Sequence, residues 1–174
     1  MLTSIHVRRA TNADAALLAS MGARTFYETF VDSCRPEDMR AYLAATFGVA
    51  QQAAELADAR SVFFIAEAGG AAAGYGKLHR GATPACIEGS TPVELARLYT
   101  EREWHGRGAG EKLMRELLEE ARRSGHQAMW LGVWEHNGRA LAFYRKWGFK
   151  VVGAHIFQVG DDAQNDLLMA RKLN

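Results

Sequence analysis

The chain has 174 residues, a hydrophobic share of 48%, a charged share of 24% and a net charge of +1. This is the make-up of an ordinary globule, long enough for a single domain over 1–174 to bury a core without staples. The near-neutral balance offers no field for nucleic acid or an anionic surface, and no apolar stretch suits a signal peptide or a bilayer span. Neither nucleic acid nor membrane is expected as a partner. Cys34 and Cys86 lie far apart with no metal-ligand spacing and read as free thiols of a cytoplasmic protein.

In chain order, residues 5–9 read as a short strand, and Thr11 or Asn12 can cap the helix that runs on to Phe30. The chain breaks at Ser33-Cys34-Arg35 and restarts at Pro36, a good first helical residue, with Met39, Tyr42, Leu43 and Phe47 as its apolar stripe. Residues 51–60 are Ala-rich and predict a third helix. Residues 61–68 and 72–79 form a hairpin about Gly69-Gly70, and 80–91 is a loop.

Residues 93–100 predict the central strand. Under strict alternation Glu94, Ala96, Leu98 and Thr100 share one face, so the aliphatic positions change phase between Leu95 and Leu98. A bulge near Arg97 would absorb that slip and splay the strand from a neighbour. A strand buried on both faces would read similarly.

After Glu101-Arg102-Glu103-Trp104 comes His105-Gly106-Arg107-Gly108-Ala109-Gly110, followed by a helix with Leu113, Met114, Leu117, Leu118 and Ala121 on one face. A glycine-rich turn opening a helix leaves backbone N–H groups free at the positive end of the dipole, which suits phosphate. Arg107 and Lys112 add charge nearby. The spacing argues against two common answers: a dinucleotide fingerprint needs glycine at 111, where Glu111 stands, and Gly110-Glu111-Lys112-Leu113 does not close a P-loop. A tight turn that binds nothing is the other reading.

Residues 128–134 read as a buried strand. Asn137 caps a helix with Ala140, Phe143, Tyr144 and Trp147 on one side, Gly148 ends it, and 149–159 with 165–171 closes the chain as a hairpin around Gly160-Asp161-Asp162. The fold class is therefore α/β: a mixed, mostly antiparallel sheet of about seven strands, flanked by helices and splayed at its middle strands.

These residues resemble the GCN5-related N-acetyltransferase (GNAT) superfamily. Its acetyl-CoA loop, Gln/Arg-x-x-Gly-x-Gly/Ala, is met from His105 to Gly110 with histidine in first place. A second motif, Asn-x-x-Ala-x-x-Phe-Tyr-x-x-x-Gly-Phe, is met by Asn137, Ala140, Phe143, Tyr144, Gly148 and Phe149. Within it, residues 25–30, 130–135, 153–155, 160–162 and 165–167 resemble the spermidine/spermine acetyltransferases of the PaiA type.

The resemblance implies acetyl-CoA as co-substrate, held by the backbone of Leu98, Tyr99 and Thr100, by the loop from His105 through Gly106, Arg107, Gly108, Ala109 and Gly110 to Glu111, and by Asn137, Ala140, Tyr144 and Lys146. It implies Tyr144 as the acid that protonates the departing thiolate, with Tyr99 as a lesser rival. A backbone N–H near Leu98 or Tyr99 would face the carbonyl oxygen. Glu94, on the splayed strand, is the chosen base, and Glu28 and Asp32 with Glu94 are the carboxylates expected to hold a cationic amine, Glu88 standing behind them. No metal is expected, since His6, His79, His126 and His155 have no partner at ligand spacing.

The acceptor is expected to be a small amine, a polyamine first, then a peptide or protein amine; a CoA-binding sensor without turnover is the alternative outside enzymes. A homodimer stays open.

Overall fold

A computed structural model describes residues 4–173. Along the chain these form β1 (Ile5–Arg9), α1 (Ala15–Phe30), α2 (Pro36–Phe47), α3 (Val49–Ala57), β2 (Ser61–Ala68), β3 (Ala71–His79), β4 (Pro92–Thr100), α4 (Ala109–Arg123), β5 (Ala128–Trp134), α5 (Gly138–Lys146), β6 (Lys150–Val159) and β7 (Asp162–Lys172). One seven-stranded sheet runs β1-β2-β3-β4-β5-β7-β6. Every neighbouring pair is antiparallel except β4 with β5, where the crossover through α4 makes them parallel.

The departures from the predicted elements are local. A single 3-10 turn over Asn12–Asp14 precedes α1, and the Asp14 carboxylate accepts the Thr11 amide at 2.7 Å while pairing with Arg8. The third helix is shifted to Val49–Ala57. Gly48 caps its start, and Asp58, extended, accepts the Arg60 amide at 2.9 Å and ends it early. The last strand starts at Asp162, next to the left-handed Gly160.

Helices α4 and α5 cover one face of the sheet. Leu113, Met114, Leu117, Leu118 and Ala121 of α4 are buried there against Val93, Leu95, Met129, Leu131 and Met169. Truncating such a leucine to alanine costs about 2–5 kcal/mol. The other face carries α1–α3. Gly22 of α1 permits a close approach: a Cβ there would sit 2.6 Å from a Phe47 ring carbon and 2.7 Å from the Tyr75 hydroxyl. On this face Glu55 lies 2.7 Å from both Lys77 and Arg97. Burial pushes the Glu55 carboxyl up, but Arg97 and then Lys77 overcome it and hold it at about 2.

Two irregularities shape the middle of the sheet. In the β3–β4 ladder Lys77 faces Arg97 and Leu78 faces Leu95, so Ala96 is an extra residue, the bulge beside Arg97. It resolves the phase problem in β4. Val93, Leu95 and Leu98 all point into the α4 cluster, whereas Glu94 lies on the opposite face with Arg97 and Tyr99. Strict alternation, which grouped Glu94 with Leu98 and Thr100, fails at that residue. The second irregularity is the short β4–β5 pairing. It covers Pro92 with Ala128, Val93 with Met129 and Glu94 with Trp130, and stops. Beyond Glu94 the strands part, and among the described residues 95–100 have no strand partner on that side.

Candidate active site

The open edge of β4 meets the loop between β4 and α4. Leu98 and Thr100 from β4, Trp104, His105, Gly106, Gly108, Gly110 and Glu111 from the loop and α4, and Arg139, Ala140, Phe143 and Tyr144 from α5 line a cleft of about 370 Å³. A ligand site at the point where two parallel strands separate follows the general rule for such sheets.

The loop is built to present amides. Gly106 and Gly108 adopt positive φ of 71° and 89°, a region that favours glycine. The Lys112 amide donates to the Gly108 carbonyl at 3.0 Å, and the His105 Nε2–H donates to the Thr100 carbonyl at 3.1 Å. The amides of Gly106, Gly108, Ala109, Gly110 and Glu111 have no acceptor among the described residues. They sit at the N-terminus of a 15-residue helix and can bind an anion. Arg107 stacks over Trp104 at 5.8 Å. Lys112 is turned away from this loop, donating to the Ile5 carbonyl at 2.6 Å. Lys146 and Glu111 pair across α5 and α4 at 2.7 Å.

Trp104, Arg139 and Phe143 line the cleft without having been predicted as cofactor contacts, and Arg139 is the charged one. It makes no ion pair among the described residues, and its charge, after burial, pushes the nearby His105 below its ordinary value. One signal was available: a cation in the first turn of α5 opposes the helix dipole and is better explained by an anion close by. Asn137 does not line the cleft. Its side-chain oxygen accepts the Ala140 amide at 3.1 Å and caps α5.

Tyr144 is 9% exposed, with Phe143 and Phe149 against its ring at 5.6 and 5.8 Å. Its hydroxyl makes no hydrogen bond among the described residues, and burial raises its pKa above the ordinary phenol value. It is thus a protonated donor facing the cleft. Tyr99 points to the opposite face, edge-on to Tyr75 at 5.5 Å. Glu94, half-buried at the closed end of the parting strands, has its carboxyl pushed up by burial, against the opposing charges of Lys77 and Arg97.

The other predicted carboxylates are not gathered with it. Glu28 is exposed on α1, its charge acting on Arg24 and His105. Asp32 and Glu88 are exposed, Asp32 just beyond α1 and Glu88 in the 80–91 loop. Asp166 of β7, given no role from sequence, is buried, and burial pushes its carboxyl up to about 6. Among the described residues no three His, Cys, Asp or Glu side chains cluster as a metal site.

An anion-binding helix start and a buried phenol beside a parted pair of parallel strands suit, in an α/β fold, a ligand that carries phosphate and lies along an open strand edge. Residues 23–149 match the sequence profile of the Acetyltransferase (GNAT) family. An uncharacterized N-acetyltransferase of Lactobacillus delbrueckii subsp. lactis is 32% identical over 174 residues, 99% of each chain. Another, from Mycobacterium bovis, is 36% identical over 92% of this chain and 98% of its own. Among solved structures, the PaiA N-acetyltransferase of Thermoplasma acidophilum in complex with coenzyme A superposes with a TM-score of 0.79 at 21% identity, covering 97% of this chain and 99% of that one. The chain belongs to the GNAT acetyltransferase family. It is an acetyl-CoA-dependent N-acetyltransferase.

Proposed function

We propose that the protein transfers the acetyl group of acetyl-CoA to a primary aliphatic amine, with di- and polyamines as the acceptor class, and that residues 1–174 form one catalytic domain. The observation that carries this reading is the cleft that joins the five free amides of residues 106–111 to the unpaired edge of β4. Those amides, with Arg107 and Arg139, would hold the diphosphate. The backbone of Leu98, Tyr99 and Thr100 would pair with the pantetheine arm as an added strand, one N–H facing the thioester oxygen as negative charge develops there.

In the transfer the amine nitrogen forms a bond to the carbonyl carbon as the carbon–sulfur bond breaks. Glu94 takes the proton that the nitrogen sheds, directly or through water. Tyr144 gives its proton to the thiolate, a transfer from a group of ordinary pKa ~10 that requires the shielding this residue has. Resemblance to the PaiA-type enzymes supports the polyamine class, as do carboxylates on the α1–α3 face. The free thiols of Cys34 and Cys86 favour a reducing compartment, the cytosol.

The test follows free thiol while the protein is mixed with acetyl-CoA and a panel of amines. Release with spermidine or spermine is expected. Release with peptides alone would move the acceptor to a protein amine. Calorimetric CoA binding without thiol release from any amine would make the chain a sensor.

A further inference from the structure

Asp166 sits in β7 opposite Trp134 of β5 and His155 of β6. Its carboxylate leans over Gly132, where a Cβ would come within 3.3 Å of both Asp166 Oδ2 and His155 Nε2. The residue is only 8% exposed, yet its Oδ1 is buried without a hydrogen-bond partner among the described residues. An orphaned buried carboxylate oxygen is costly and uncommon, and calls for a reason.

Among the described residues no cation supplies it. Arg97, on the same face, is committed to Glu55 at 2.7 Å and to Gln52 at 3.2 Å. Lys77 is committed to Glu55 as well. His155 Nε2 lies 4.0 Å from Oδ2, beyond hydrogen-bond reach.

Aromatic residues share this face of the sheet, Trp134 directly opposite Asp166 in the β5–β7 register. Trp134 packs on Phe30 at 5.2 Å, and Tyr42 packs on Phe157 at 5.7 Å. Phe157 lies two residues from His155 on the same side of β6, and the Asp166 charge reaches the Tyr42 hydroxyl. A carboxylate among aromatic faces is the chemistry that recognises an alkylammonium ion. The place is right as well. Asp166 lies on the α1–α3 face beside the strand that borders the gap, whereas Tyr144 and the amide loop border it from the α4–α5 face. An acceptor would thus enter from the side opposite the donor.

We infer that Asp166, with Trp134 and Tyr42, forms a cation subsite that anchors the charged amino group of a di- or polyamine acceptor, the group remote from the nitrogen being acetylated. This rests on the acetyl-transfer reading for the identity of its ligand. An arriving ammonium would return the carboxylate, held partly protonated by its burial, to the ionised form.

The test uses the full chain saturated with CoA, which binds amines without turnover, and calorimetry with spermidine and with butylamine as probes. Wild type is expected to bind spermidine more tightly than butylamine. Asp166→Asn should weaken spermidine by about tenfold or more and leave butylamine and CoA unchanged. A thermal midpoint no lower than wild type shows that the variant is folded. Equal affinity of wild type for the two amines, no affinity for either, or an Asn variant that binds spermidine like wild type overturns the inference. So does an Asn variant that keeps spermidine affinity but loses turnover with both amines, which would place Asp166 at the reacting nitrogen. If spermidine binds through Asp166 and no thiol is ever released with acetyl-CoA, the subsite stands and the transfer reading falls.

Discussion

The burial of Asp166 has a consequence for stability that does not depend on any substrate. Its carboxyl ordinarily titrates at 3.8 and is pushed up to about 6 in the fold by burial. Between those values the folded protein holds a proton that the unfolded chain has lost, so the native state binds more protons and stability falls as pH rises through the window. Below the window the penalty is absent, and above it the penalty is complete and constant. At about 1.36 kcal/mol per tenfold, the difference corresponds to ~3 kcal/mol. The unfolded chain is already partly ionised at pH 4, so about 2 kcal/mol of this falls between pH 4 and pH 7. Asp166→Asn cannot ionise and escapes the penalty. Asp14, held at about 2 by Arg8, and Glu55, also at about 2, titrate in the opposite sense, but they are common to both proteins and cancel in the difference. Urea melts of wild type and variant at pH 4 and pH 7 should show the variant gaining about 2 kcal/mol on wild type between them, and thermal melts a gain of roughly 4–8 °C in midpoint for a chain of this size. A difference between the two proteins that stays the same at both pH values would refute the argument.

Tyr144→Phe should lower kcat by roughly 10²-fold while calorimetric CoA affinity is kept, since the ring packing on Phe143 and Phe149 survives and only the donor proton is lost; unchanged kcat would remove Tyr144 as the acid. Gly108→Val puts a β-branched side chain at φ 89°, costing about 1–3 kcal/mol in strain, and should weaken CoA by an order of magnitude or more with the circular dichroism of the fold retained; intact CoA affinity would count against the amide cradle. The Glu94 carboxyl is raised by burial, so its ionised form accumulates only above the ordinary glutamate range, and kcat/KM should climb with pH along a limb lying above 4.5. Glu94→Gln should lower the rate and abolish that limb; a limb that persists would point to another base.

Much of this protein was legible locally. The β–α–β–α periodicities, Pro36 at the start of α2, Asn137 at the cap of α5 and the glycines of the 105–110 loop each specify a backbone state within a few residues of themselves. For that reason the elements and the anion-binding loop could be placed from sequence. The phase slip between Leu95 and Leu98 even announced the bulge, because three aliphatic side chains could reach one core only if a residue was added between them.

Which way Glu94 faced was a different matter. Alternation is a local rule, and it broke at Ala96 because the pairing of β4 with β3, not the pattern within β4, decided where the extra residue went. Asp166 was invisible for a related reason. An acid in a strand of polar and apolar residues reads as solvated surface, and it becomes a buried, unpartnered carboxylate only through contact with Gly132 and His155, residues 34 and 11 positions away. Arg139 carried a weak local signal, a cation in the first turn of α5, and its place in the cleft came only when α5 was laid beside the loop before α4.

Sequence by itself determined the elements, their caps and the glycine turn that frees five amides, since propensity and periodicity act over a few residues. Tertiary structure alone decided that β4 and β5 part after Glu94, that Tyr144 lines the cleft while Glu94 lies on the opposite face, and that one oxygen of a buried acid has no hydrogen-bond partner among the described residues. Strand register and helix placement set those distances, and both are settled by packing across the whole sheet.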